Sequence, residues 1–325
     1  MKASRTIIYT HGGGRLGNQI IRYAHWMAWA QAQAEPVEVV NVAFWPHANF
    51  FSEWQQHPGC MFPGPSKRVD EWARRCADLP VWCRLWPEHG DRLARAVHAM
   101  GRWRPGWKDI VLDDSIGESI ELDGTAFSQR IAGAKVIACS GWKISCWQLF
   151  QQQQVKLRSL FRPAPHWSLR PVAFVAALRK KHDFLFGIFI RQSDYRVWDD
   201  GRFYFSSAQY AVWIRQLLDL HPGRRVAVII ASEERQDPSI FAGLPCYFAT
   251  GSVNSGGHAI ESWIELSMCD LIVSPPSTFS ATAAFLGAVP IWPLVEADQA
   301  MAFDQIIPDN LVGAARHQSF SRSVK

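Results

Sequence analysis

Arg191 and Asp194 stand at the end of a run, Phe184 to Ile190, that carries no charge. Such a run reads as a strand packed on both faces. In an open parallel sheet, ligands bind outside the carboxyl ends of the strands. A planar guanidinium fixed there suits a phosphate. The bland reading is an Arg–Asp pair that merely closes the strand.

Two further stretches carry chemistry of the same kind. Ser274 to Ser280 reads Ser-Pro-Pro-Ser-Thr-Phe-Ser. The prolines stiffen a turn, and Ser277 and Thr278 then offer hydroxyls and N–H groups where a helix begins. A capped helix start favours a phosphate, although a cap with no ligand is the commoner use. Ser232, Glu233 and Glu234 follow another apolar run, and Asp194 and Glu233 are the candidate bases for a hydroxyl acceptor.

The third stretch is a glycine loop, His11 to Gln19, between a short β-branched strand and an apolar helix. Gly12, Gly14 and Gly17 fit the dinucleotide fingerprint, but that fingerprint needs an acid about 20 residues on. The second strand offers only Glu38, at its start. His11 with three glycines also has the form of a lipase oxyanion loop, which requires a G-x-S-x-G elbow that the chain lacks. The remaining reading rests on Gly14, Arg15, Leu16, Gly17, Asn18 and Gln19.

The elements that must position these loops follow from periodicity. Expected strands are Thr6–Thr10, Val37–Phe44, Val136–Trp142, Phe184–Arg191, Arg225–Ser232, Cys246–Thr250, Asp270–Ser274 and Val289–Pro293. Expected helices are Ile20–Ala34, Val172–Lys181, Ser206–Leu220, Ala259–Cys269 and Phe279–Leu286, with two more at Val69–Cys76 and Asp91–Met100. Strands alternating with helices predict an α/β chain of two Rossmann-like, doubly wound domains facing a cleft. The polar tract Gln151 to Gln154, with Arg162 to Pro165 after it, marks the boundary. The domains are then residues 1–165, with Trp-rich insertions, and 166–325. Asp113–Asp114 and Asp199–Asp200 are adjacent pairs, which on an extended segment point to opposite sides.

Composition narrows the function classes. Over 325 residues, 48% are apolar and 19% charged, which is a globular balance. A net charge of +5, with no Lys/Arg block longer than three, argues for no nucleic acid partner. It would assist an anionic small ligand or an anionic membrane surface. Cysteines at 60, 76, 83, 139, 146, 246 and 269 form no C-x-x-C, so reduced thiols are expected. There is no D-x-D and no cluster with metal-ligand spacing, so the expectation is metal: none, and no cofactor. The N-terminal residues lack a signal-peptide core, and no run approaches a membrane span. A cytoplasmic protein is expected, with peripheral contact at the inner face of the membrane left open. Nine of the sixteen tryptophans lie between Trp45 and Trp147, and aromatic faces also stack on sugars.

Together these residues resemble the α-1,2-fucosyltransferases and the related protein O-fucosyltransferases. Gly14 to Gln19 is similar to their N-terminal motif. Arg191, Asp194 and Tyr195 are similar to their His-x-Arg-Arg-x-Asp-Tyr motif. Phe203 and Tyr204, then Ser232 to Glu234, then Glu261 to Ser280 follow in the family's order. The resemblance implies a GT-B fold and an inverting, metal-independent transfer of fucose from a GDP-fucose donor to a glycan or glycolipid acceptor. It implies that Arg191 holds the β-phosphate of the leaving GDP. Ser277, Thr278 and Phe279 would bind phosphate, Arg15 and Asn18 would approach from the other domain beside Gly14 and Gly17, and Glu261 falls near an acidic position linked to the nucleoside. Ser232 and Phe189 complete the expected donor-binding set. The motif histidine is Phe189 here and the second arginine is Gln192, with Arg196 or Arg202 as candidates to restore the lost cation. The rivals are a transferase for another NDP-sugar, a non-catalytic nucleotide- or sugar-binding relative, and a dehydrogenase.

Overall fold

Apolar strands separated by helices build two parallel sheets, one in each half of the chain. The structure is a computed structural model that describes residues 5–11, 15–41, 44, 47, 50–51, 60–61, 105–112 and 118–307. The chain divides into two units, Met1–Ala164 and Pro165–Lys325. The expected helices Val69–Cys76 and Asp91–Met100, Asp113–Asp114 and most of the Trp-rich stretch lie outside the described residues.

In the first unit the order is β1 (Arg5–His11), α1 (Leu16–Gln31), β2 (Val37–Asn41), β3 (Cys60–Met61) and β4 (Trp107–Val111). There follow β5 (Ser119–Glu121), α2 (Thr125–Arg130), β6 (Val136–Ser140), β7 (Lys143–Ser145) and α3 (Trp147–Leu160). The strands lie in the order β3-β2-β1-β6-β4, all parallel, and β5 pairs with β7 beside them. α1 is buried along most of its length, with Trp26 and Tyr23 fully enclosed, because it packs against both β2 and α3.

The tract Gln151 to Gln154, expected at the domain boundary, lies inside α3. Phe150, Leu157 and Leu160 form its buried stripe, and the glutamines occupy the turns between. Gln153 donates from Nε2 to the carbonyl of Ala28 on α1 at 3.0 Å. The polar run here is one turn of an amphipathic helix, with Gln151 and Gln152 exposed and Gln153 and Gln154 half-buried.

The second unit contains α4 (Pro165–Arg179), β8 (Phe184–Ile190), α5 (Ser207–Asp219), β9 (Val226–Ser232) and β10 (Cys246–Phe248). It continues with α6 (Ala259–Leu266), β11 (Leu271–Ser274), α7 (Thr278–Gly287) and β12 (Ile291–Pro293). α4 begins seven residues before its expected start and runs through Pro171. Pro165 stands at the first helical position, where a missing N–H costs nothing. The bond lost at Pro171 is offset by packing of α4 on α6.

β8 is the central strand of the order β10-β9-β8-β11-β12, all parallel. The chain leaves β8 towards β9 and β10, then returns to β11 on the other side. The topological switch point therefore lies between β8 and β11, where a doubly wound sheet opens a crevice at its carboxyl edge. Phe186, Ile188 and Ile190 face a core with Trp213 and Tyr210 of α5. On the opposite face a Cβ added at Gly187 would lie 2.7 Å from Leu266 Cδ2 and 2.9 Å from Cys269 Sγ. Only glycine lets α6 approach β8 so closely.

Candidate functional site

Strand alternation fixes the directions of the residues that end β8. Ile188, Ile190 and then Gln192 continue one face, and Phe189 and Arg191 the other. Phe189 is buried and its ring lies on that of Phe279 in α7, centroids 4.8 Å apart at 31°. It is a packing residue beneath the start of α7. Arg191 follows on the same side.

The parallel register pairs Ile190 with Ser232, which brings the next residues, Arg191 and Glu233, side by side. The Arg191 guanidinium donates to Asp194 from Nε at 3.0 Å and from Nη2 at 2.8 Å. Its Nη1 lies 3.2 Å from Glu233 Oε2. Ser193 donates from Oγ to Glu233 Oε1 at 2.6 Å. One cation and two carboxylates give this cluster a formal charge of minus one. The Arg191 side chain is only 13% exposed, whereas Asp194 is 48% exposed.

Tyr195 connects this cluster to the loop after β11. The Arg191 guanidinium lies over its ring at 5.2 Å, and its hydroxyl donates to the carbonyl of Pro276. Ser277 is the next residue and caps α7, accepting from the N–H of Phe279 at 3.3 Å. Behind the cap, Ser274 donates to Ser280 Oγ at 2.8 Å, and Ser280 donates to the Ser277 carbonyl at 3.0 Å. α7 has no acid in its first turn, so its amide end keeps its positive character, and Thr278 is half-buried there. Tyr195 thus links Arg191 to the loop that leads into the capped start of α7 at the switch point.

The other expected residues are placed differently. Gln192, at the motif's second arginine, is buried and points into the interior, donating from Nε2 to the carbonyl of Phe205 at 2.9 Å. Arg196 pairs with Glu234 at 2.7 Å and lies over the Tyr204 ring, and Arg202 lies over Phe203. Ser232 is buried and donates to the carbonyl of Glu234 at 2.7 Å, shaping the turn after β9. Glu261 is buried on α6 and ion-paired with Arg170 of α4 at 3.2 Å. Asp199 and Asp200 are not on an extended segment as expected. They lie in a 3-10 turn with φ of 52° and 57°, a left-handed conformation that aspartate tolerates better than most residues. In the first unit, Arg15 is an exposed N-cap residue with extended backbone, Asn18 is half-buried and Gly17 buried in the first turn of α1. Gly14 lies outside the described residues.

A buried carboxylate sits behind the site. Glu265 of α6 is fully enclosed and accepts from the Thr250 N–H at 3.0 Å and from the Thr250 hydroxyl at 2.5 Å. Burial pushes its carboxyl up to about 7, against those hydrogen bonds. Among the described residues, no group of three or more His, Cys, Asp or Glu side chains could hold a metal ion. No helix among them is long and apolar enough to cross a membrane.

Sequence reasoning missed the polar group around Gln236. Only the β8 alternation, continued by one residue to Gln192, signalled a buried amide there.

No protein-family model matches the chain, and no curated protein matches it in sequence. Solved structures do match it in shape. Arabidopsis thaliana FUT1, a mutant in complex with GDP, superposes with a TM-score of 0.55 at 15% identity, covering 92% of this chain and 72% of that one. Fucosyltransferase NodZ from Bradyrhizobium superposes with a TM-score of 0.51 at 15% identity, covering 94% of this chain and 99% of that one. NodZ soaked with GDP-fucose, described as an α-1,6-fucosyltransferase, gives 0.50 at 15% identity over the same shares. Across an identity this low the likeness is one of architecture: the chain has the GT-B fold of these fucosyltransferases.

Proposed function

We propose that the chain is a glycosyltransferase that takes fucose from GDP-fucose and passes it, with inversion and without a metal ion, to a hydroxyl of a glycan or glycolipid. The observation that carries this reading is the link through Tyr195 between Arg191, at the end of β8, and the loop that leads into the capped start of α7 beside the switch point. Two fucosyltransferases of the same fold were solved with GDP or GDP-fucose, which supports the choice of donor.

The chemistry follows from where charge develops. As the glycosidic bond to the diphosphate lengthens, the sugar approaches an oxocarbenium ion and negative charge grows on the leaving phosphate. A guanidinium and amide N–H groups held ready at that point stabilise it. Asp194 grips Arg191 in bidentate fashion and so orients it. Glu233 is the candidate base for the acceptor hydroxyl.

A second reading has its own observation. Arg191 is already neutralised by two carboxylates, and Gln192 offers no second cation. A nucleotide- or sugar-binding relative without turnover would tolerate that. The test is a thermal-shift screen of GDP, UDP, ADP and their sugars with and without chelator, followed by release of GDP from GDP-fucose. Stabilisation by GDP with turnover supports the transferase; stabilisation without turnover supports the binding module. No response to GDP or GDP-fucose removes the transferase, and no response to any ligand of the screen removes both.

A further inference from the structure

The geometry points to Gln236 as the residue that positions Arg191 and Glu233, an inference that rests on the reading of the site given above. Gln236 is 2% exposed and lies four residues beyond Ser232. Its Nε2 donates to Gln192 Oε1 at 3.0 Å, to Ser232 Oγ at 3.0 Å and to the carbonyl of Glu234 at 3.2 Å. Its Oε1 accepts from the Ser207 hydroxyl at 2.6 Å. Its backbone N–H donates to Asn254 Oδ1 at 2.9 Å, and Asn254 returns a bond from Nδ2 to the Gln236 carbonyl at 2.8 Å.

The side-chain amide thereby joins three segments at the carboxyl edge of the sheet, and the backbone of the same residue joins a fourth. Through Gln192 it holds the residue next to Arg191. Through Ser232 and Glu234 it holds both neighbours of Glu233. Through Ser207 it reaches the first turn of α5, while the Gln236 backbone, through Asn254, holds the loop after β10. The guanidinium and the carboxylate that pair at 3.2 Å therefore stand on backbones tied to the same side chain. An amide suits this task because it is donor and acceptor at once, and because it adds no charge beside Glu233 and Glu234. Buried networks of this kind fix one geometry when every member is satisfied and lose it when one is removed. Gln236 touches no reacting atom in this scheme; it acts by holding the residues that do.

The test replaces Gln236 in the full chain by leucine, and separately Ser207 by alanine, which removes one bond to the Gln236 amide and a 3.5 Å contact from Gln192 Nε2 and is the milder change. Two quantities are read: turnover of GDP-fucose, and the Nε–Hε resonance of Arg191 in a ¹⁵N-labelled sample, assigned with Arg191→Lys. Gln236→Leu is expected to lower kcat at least tenfold with KM changed less than threefold, and to broaden or abolish the Arg191 resonance in protein that still melts cooperatively. Ser207→Ala is expected to lie between it and wild type, and carries the test if the leucine variant does not fold. A sharp, unshifted Arg191 resonance in both variants overturns the inference, whatever the turnover. Should wild type release no GDP from GDP-fucose, the transferase reading falls, while the resonance still decides whether Gln236 holds Arg191.

Discussion

Glu233→Gln should tighten the binding of GDP. In the structure Glu233 Oε2 is 3.2 Å from Arg191 Nη1, and Asp194 holds two other nitrogens of the same guanidinium. A phosphate must therefore approach a cation whose charge is more than cancelled. A phosphate oxygen resting on Arg191 would lie roughly 6–7 Å from the Glu233 carboxylate. At an effective dielectric constant of about 20, two unit charges at that distance repel by about 2.5 kcal/mol, and screening at physiological salt reduces this to about 1 kcal/mol. A terminal phosphate carries more than one charge, so removing the Glu233 charge is worth about 1–2 kcal/mol, or roughly a 5- to 30-fold lower Kd. The glutamine keeps an oxygen that can accept from Ser193, so the turn after β9 is preserved. The assay is calorimetric titration of GDP into wild type and variant at two salt concentrations. The gain should shrink as salt rises. An unchanged or weaker Kd at both concentrations would show that phosphate does not bind at Arg191, and the site as drawn would be wrong.

Arg191→Ala should lower turnover of GDP-fucose by on the order of 10²–10³, because a group that stabilises the leaving diphosphate acts most in the transition state; near-normal kcat would contradict this. Glu265→Gln should stabilise the protein at alkaline pH. The carboxyl titrates near 7 in the fold and at 4.5 in an open chain, so its contribution is fully present below pH 4.5 and is lost as pH rises through about 7. A variant that cannot ionise escapes that loss, which reaches about 3 kcal/mol. Urea melts of both proteins at pH 5 and pH 8 should show an advantage for Glu265→Gln that grows between the two, and an equal difference at both would refute it. Gly187→Ala should cost about 1–3 kcal/mol by overpacking against Leu266 and Cys269, with Tm lowered accordingly; an unchanged Tm would mean that α6 is free to move off the sheet.

The residues themselves determined much of this protein. A seven-residue uncharged run ending in Arg191 is too short for a buried helix and reads as a buried strand with its charge at one end, and helices spaced between such runs leave a parallel sheet as the arrangement that buries both faces. Ser277 after two prolines specified a helix cap because its hydroxyl is the group a helix start lacks. Periodicity is local, and these features are local. The structure alone decided what the charged groups touch. That Arg191 faces Glu233 as well as its neighbour Asp194 follows from the register of β8 on β9, which no spacing within Phe184 to Tyr195 encodes. That Gln151 to Gln154 is a turn of a helix depended on α1 being there to receive that helix. Gln192 and Gln236 are 44 residues apart and their amides meet only because the strands that carry them are neighbours. Hydrogen bonds between distant residues are set by topology, and topology is a property of the whole sheet.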